Sequence, residues 1–255
     1  MTWPAVPWNR VPVMSSATLR AADEEAHSQF GIEPIQLMEV AGWQVARFVD
    51  DFVDGVRGKR VAVVAGPGNN GGDALVAARF LYQRGAIVGV SMVQPRDPNS
   101  LAARHARTIE RLGIPTMEAP HGVDPSADVL VDGLFGIGIR LPLRDPAPRI
   151  IEAMNASRGR IVAIDVPSGV DADSGAAGET AVRAAATITL VAPKPGLRGS
   201  ANAGRVFVAD LGMPGAIFAT ERAALEALLQ IGDLVELVDP ELNSASDAHL
   251  DITPS

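Results

Sequence analysis

VAVVAGPGNNGGDALVAARFL, residues 61–81, runs from an apolar, β-branched stretch through a glycine-rich loop into a stretch of good helix formers. A strand that turns through glycines into a helix is the opening half of a βαβ unit. The helix start so made offers free backbone N–H groups to an anion. The same rhythm continues outward. Short apolar runs at 60–66, 86–93, 127–133, 159–166 and 186–192 are separated mostly by helical stretches at 72–84, 98–112 and 145–156. Near-continuous apolar strands alternating with helices predict a parallel sheet covered on both faces. A late strand at 204–212, placed at an edge, and a last helix at 215–230 complete the pattern. On the N-terminal side, Ser15 and Gly31 bound one helix. Pro34 begins a second, whose Ile35, Met38, Ala41, Val45, Phe48 and Phe52 recur at three- and four-residue steps. The expectation is a Rossmann-like, three-layer α/β/α domain with a mostly parallel central sheet over 15–235. An irregular arm precedes it at 1–14, and a polar, flexible tail follows at 236–255.

Ligands of parallel sheets bind beyond the carboxyl ends of the strands, where the loop 66–73 lies. Gly66, Gly68 and Gly71 spell the dinucleotide pattern G-x-G-x-x-G, but the acidic residue that grips the ribose is lacking at the end of the second strand, and Asp97 comes too late. Gly66 and Gly71 also have the spacing of a nucleoside-triphosphate loop, yet Gly72-Asp73 stands where Lys-Ser/Thr is required. What remains is Asn69-Asn70-Gly71-Gly72-Asp73. It can be a tight turn with Asp73 capping the helix, but its position at the mouth of the sheet favours a ligand site.

Two more strand ends point there. Asp132 ends one run ahead of a second glycine loop, Gly136 to Pro142, and Asp165 ends another ahead of Pro167-Ser168-Gly169. Each carboxylate can be a turn cap. If the strands adjoin, Asn70, Asp132 and Ser168 gather one charge and neutral oxygens, a shell that suits a hard, singly charged cation. Asp165 then remains free as an acid or base. Arg140 reads either as a partner for a phosphate or as a solvated arginine. The four histidines (27, 105, 121 and 249) show no ligand spacing and read as surface residues.

Composition sets the outer limits. The chain has 255 residues, 47% of them hydrophobic, and a net charge of −8. It suits a folded domain and not a general nucleic-acid binder. The absence of cysteine excludes disulfides, thiolate metal sites and thiol nucleophiles. The sequence offers neither a signal peptide nor a membrane-spanning run, so a cytoplasmic protein without membrane or nucleic-acid partners is expected. Lys59 and Lys194 are the only lysines; the role of Lys194 is open, an ordinary surface lysine being the bland reading.

The ordered motifs GPGNNGGDALVAARFL (66–81), DGLFGIGIRLPL (132–143), AIDVPSGVDADSG (163–175) and LVAPKPGL (190–197) closely resemble the YjeF N-terminal domain family of NAD(P)H-hydrate epimerases. LMEVAG (37–42) and GRVFVADLGMP (204–214) extend the resemblance over roughly 15–230. It implies a Rossmann-like fold, a homodimer, and epimerisation of the hydrated cofactors NADHX and NADPHX at C6 of the nicotinamide ring. It also implies a potassium ion (K+) on Asn70, Asp132 and Ser168. By the same resemblance, substrate contacts fall on Asn69, Asn70, Gly71, Gly72 and Asp73, on Gly136, Ile137, Gly138, Ile139, Arg140, Leu141 and Pro142, and on Asp165. Asp165 is the expected catalytic acid/base. The glycine loop would then hold a phosphate of a dinucleotide substrate. Val40, Ile137 and Ala74 stand where the family usually has Asn, Thr and Gly. Nothing resembles the dehydratase fused to some members, so a separate dehydratase is expected in the pathway. Two other readings remain: a diverged, non-epimerising member that binds a nucleotide-like ligand or a protein, and an enzyme acting on another small molecule.

Overall fold

The computed structural model describes residues 3–119 and 122–239. Among them, nine strands form one sheet: β1 (Ala5–Pro7), β2 (Arg60–Ala65), β3 (Ile87–Met92), β4 (Thr116–Glu118), β5 (Val129–Gly133), β6 (Arg160–Ile164), β7 (Ala186–Leu190), β8 (Arg205–Ala209) and β9 (Leu234–Val238). Their order is β1-β9-β8-β7-β6-β5-β2-β3-β4. All neighbouring pairs are parallel except β8–β9. The helices are α1 (Ser16–Phe30), α2 (Pro34–Phe52), α3 (Asn69–Gln83), α4 (Leu101–Arg111), α5 (Ala147–Ala156) and α6 (Arg222–Leu229).

The alternation of a strand sorts its side chains between two layers. Val61, Val63 and Ala65 of β2 face a core shared with α2, α3 and α4. Ala62 and Val64 face the other side, where Ile150, Ile151 and Met154 of α5 cover them. Near β8 and β9 that second side is closed by Val6, Trp8 and Val11 from the N-terminal segment and by Leu228 of α6. The helix ends follow their local chemistry. Ser15 caps α1 by accepting from Thr18 N, and Gly31 stops it in the left-handed conformation (φ +66). Glu33 and Gln36 form a capping box at the start of α2, with Pro34 in its first turn.

Several expectations are corrected. The arm is not irregular throughout, because Ala5–Pro7 pairs with β9. The late strand β8 is internal, between β7 and β9. The helix expected over 215–230 is a 3-10 turn, Gly215–Ile217, followed by α6. The segment assigned to the tail begins inside β9, and 240–255 lie outside the described residues. Among the described residues no helix is long and apolar enough to cross a membrane.

From β2 the chain moves outward to β3 and β4, then returns to lay β5 on the other flank of β2. This reversal opens a crevice outside the carboxyl ends of β2 and β5, the usual ligand position in such sheets. Register brings the strand ends level: Val64 pairs with Asp132, Ala65 with Gly133, and Asp132 with Ala163.

Candidate functional site

A cavity of about 630 Å³ lies over this crevice, within the usual range for small-molecule sites. Its floor is formed by Pro67–Asn70 and Asp73 at the start of α3, Leu134–Gly138 after β5, Asp165 after β6, and Leu190, Val191 and Lys194 after β7. Leu19, Arg20, Asp23, Glu24 and His27 of α1 and Leu37, Met38 and Ala41 of α2 form its wall.

The glycines of 66–73 serve the close approach of backbones. A Cβ on Gly66 would lie 1.9 Å from the Leu134 carbonyl oxygen, and one on Gly71 would lie 1.9 Å from that of Gly66. Gly72 packs against Met38. Gly71 and Gly72 are buried and outside the cavity lining, whereas Gly68, Asn69, Asn70 and Asp73 reach it. Helix α3 begins at Asn69, earlier than expected, with Gly68 as its cap. Asp73 therefore sits inside the helix and is no cap. Only 8% exposed, it has no hydrogen-bond or ion-pair partner among the described residues. Burial pushes its carboxyl well above the usual range, and the charges of Asp165 and Asp23 add to this while Lys194 opposes it.

Asp165 follows β6 with φ +68, a left-handed backbone that non-glycine residues seldom adopt. Val191, just past β7 and also lining the cavity, has φ +67. Such outliers collect at functional sites, where the surrounding structure holds them. Here Asp165 N donates to Ile188 O (2.7 Å), and Oδ1 accepts from Lys194 Nζ and from Leu190 N (3.3 Å). Lys194 is 1% exposed, so it is not a surface lysine. Its other hydrogen bonds go to Thr189 Oγ1 (3.0 Å) and Leu190 O (2.9 Å), which satisfies its three donors.

Asp132 and Ser168 are fully buried and joined directly. The carboxylate accepts from Ser168 Oγ (2.7 Å), Ser168 N (2.8 Å) and Leu134 N (3.2 Å), and Phe135 N donates to Ser168 Oγ (2.9 Å). Burial raises the Asp132 carboxyl to about 6, against the lowering effect of those hydrogen bonds. Asn70 abuts the residues that follow Asp132: its backbone oxygen faces Gly133 and its amide faces Gly136. Its Nδ2 is buried without a hydrogen-bond partner among the described residues.

Of the second loop, Gly136, Ile137 and Gly138 line the cavity, while Ile139, Arg140, Leu141 and Pro142 lie outside the lining. The arginine at the cavity is Arg20, whose Nη2 donates to Ile137 O. Val40 is partly exposed on α2 and outside the lining, Ile137 is in it, and Ala74 packs under Gly133. The histidines are corrected in part. His105 is buried, which lowers its pKa, and His27 stands at the cavity wall; His121 and His249 lie outside the described residues. Arg20, Asp23 and Lys194 are among the cavity residues that sequence reasoning missed. Lys194 had a signal, being one of two lysines in an arginine-rich chain. Asp23 had none, since nothing in the sequence sets it apart from its acidic neighbours Glu24 and Glu25.

A family model described as YjeF-related protein N-terminus matches residues 34–196. An NAD(P)H-hydrate epimerase of Phaeosphaeria nodorum is 35% identical over 159 residues, which cover 62% of this chain and 65% of that protein. The chain thus spans just under two thirds of that relative's length. A bifunctional NAD(P)H-hydrate repair enzyme, Nnr, of Hyperthermus butylicus is 42% identical over 148 residues, 55% of this chain and 27% of that protein. The crystal structure of yeast ynu0, YNL200c, superposes with a TM-score of 0.73 at 29% identity, covering 81% of this chain and 92% of that one.

Proposed function

The chain belongs to the YjeF-related N-terminal family, and from that premise we propose that it interconverts the R and S forms of hydrated NAD(P)H, NADHX and NADPHX, at the hydroxyl-bearing C6. One observation carries the reading: a carboxylate, Asp165, is clamped by a buried lysine in the floor of a cavity at the switch point of the sheet. Epimerisation must break and remake a carbon–oxygen bond beside the ring nitrogen. That chemistry needs a positioned acid/base group, and a cationic intermediate gains from a nearby carboxylate. The start of α3, with Asn69 and Asn70, and the Gly136–Gly138 loop would face the pyrophosphate, with Arg20 supplying a cation.

Asn70, Asp132 and Ser168 fit a potassium ion. Among the described residues Asp132 is buried without a cationic partner, and the Asn70 amide has an unpartnered polar atom; an amide's oxygen and nitrogen are assigned by their bonding, so turning it presents the oxygen. When bound, the ion would supply a fixed positive charge that neutralises Asp132 and ties the loops after β2, β5 and β6. A homodimer and a separate dehydratase acting on the same hydrated cofactors complete the reading, both drawn from the family.

The test is incubation of the purified protein with (R)-NADHX, and separately with (R)-NADPHX, following the S epimer by chromatography and subtracting spontaneous epimerisation. Acceleration of either is expected. No acceleration, with an NADH analogue still bound in calorimetry, would replace this reading with that of a nucleotide-binding relative.

A further inference from the structure

The cavity holds more carboxyl groups than a single acid/base residue requires. Asp23 from α1, Asp73 from α3 and Asp165 after β6 all line it. They are not equivalent. Asp165 accepts from Lys194 Nζ and Leu190 N. Asp73, almost as buried, accepts from nothing among the described residues. A carboxyl buried without donors is held in its neutral, proton-bearing form. Two carboxyls whose surroundings differ in this way divide the acid and base roles between them.

We propose that Asp73 and Asp165 act as a pair, Asp73 donating the proton and Asp165 accepting one, with Lys194 as the positioning residue that aims Asp165. The proposal rests on the epimerase reading. In the epimer whose C6 hydroxyl faces Asp73, the ring nitrogen's lone pair forms the N=C bond as the C6–O bond breaks. The Asp73 proton goes to the departing oxygen, which leaves as water. Water then adds to C6 from the opposite face and the N=C pair returns to nitrogen. Asp165 takes the proton released by that water. One C–O bond is broken and one is made, with no change of oxidation state. The proton carried from Asp73 to Asp165 returns through solvent.

The direction of the Asp73 shift agrees: burial is its largest cause, followed by the charges of Asp165 and Asp23. The charged and titratable groups around the pair are Arg20, Asp23, Glu24 and His27 from α1 and Lys194 after β7; α2 and the 134–138 loop contribute none.

The test is kcat and KM for (R)-NADHX across pH, corrected for the spontaneous rate. A general acid must hold its proton, so the wild-type profile should fall on an alkaline limb above the ordinary carboxyl range. Asp73→Asn should lower kcat by ~10²–10⁴-fold, leave KM within about threefold, and abolish the alkaline limb. Lys194→Met should lower kcat more than it raises KM, and Lys194→Arg should recover part of the loss; a purely structural lysine would change the melting temperature alone. If Lys194→Met does not fold, the Asp73→Asn profile still decides. An active wild type with Asp73→Asn at near-wild-type kcat, or with the alkaline limb intact, overturns the pair while leaving the epimerase reading in place. A wild type no faster than the spontaneous reaction overturns both.

Discussion

At the scale of single residues, the chemistry of the site depends on which buried charges have partners. Lys194 is buried with all three donors satisfied, and its ion-pair partner is Asp165, the proposed proton acceptor. Removing one member of a buried ion pair strands the other, at a cost of about 3–5 kcal/mol. Asp73 lies at the other extreme. Its folded pKa is raised, so the stability that its protonated form contributes is complete below the unfolded value of 3.8 and is lost as pH rises through the folded value. Asp73→Asn cannot ionise and escapes that loss. The variant should therefore gain stability on wild type as pH rises from the carboxyl range towards neutrality, as read from urea midpoints at several pH values. A difference that stays flat with pH would sink the idea. The same residue would thus cost the fold stability and serve the reaction, a common trade at active sites.

At the scale of elements, the β2–α3 unit is built on backbone-to-backbone contact. Gly66 and Gly71 each face a carbonyl oxygen where a side chain would be, whereas Gly68, at the cap of α3, has open space around its missing side chain. The three glycines of the G-x-G-x-x-G pattern are therefore not equivalent. Gly71→Ala should destabilise by about 1–3 kcal/mol or more, because the clashing atom is backbone and cannot rotate away. Gly68→Ala should stay within about 0.5 kcal/mol of wild type. Chemical denaturation of the two variants checks both numbers, and equal effects would contradict the packing described. Met38 beside Gly72 extends the same close fit to α2.

At the scale of the whole molecule, the site is assembled from strand ends far apart in sequence. If potassium binds Asn70, Asp132 and Ser168, it links the loops after β2, β5 and β6 in the folded state only. The unfolding free energy, read from chemical denaturation, should then be greater in potassium chloride than in choline chloride at equal ionic strength, by about 2.7 kcal/mol when the ion is at 100 times its dissociation constant. Asp132→Asn should abolish the difference; a difference that persists in that variant would place the ion elsewhere. Much of this architecture is legible in the sequence. Buried parallel strands are apolar throughout, so β2, β3, β5, β6, β7 and β8 announce themselves. Turns and caps are written by Pro34, Gly31 and the glycines of 66–72. Carboxylates ending apolar strands mark Asp132 and Asp165. The three-residue edge strands β1 and β4 escape, and so does β9 between β1 and β8, because a three-residue strand or one next to a polar tail carries too little pattern and takes its structure from the neighbour it pairs with. Asp23, the burial of Lys194 and His105, and the burial of Asp73, which the sequence had marked only as a substrate contact, escape for a related reason. Whether a charged side chain in a helix or loop meets water or a buried partner depends on what packs over it. The sequence by itself determined the layered α/β fold, the loops at the carboxyl ends of its strands and the carboxylates beside them. Only the tertiary structure decided that Lys194 is buried against Asp165 and that Asp73 is buried without a hydrogen-bond partner among the described residues, because burial and pairing are set by long-range packing that local pattern does not encode.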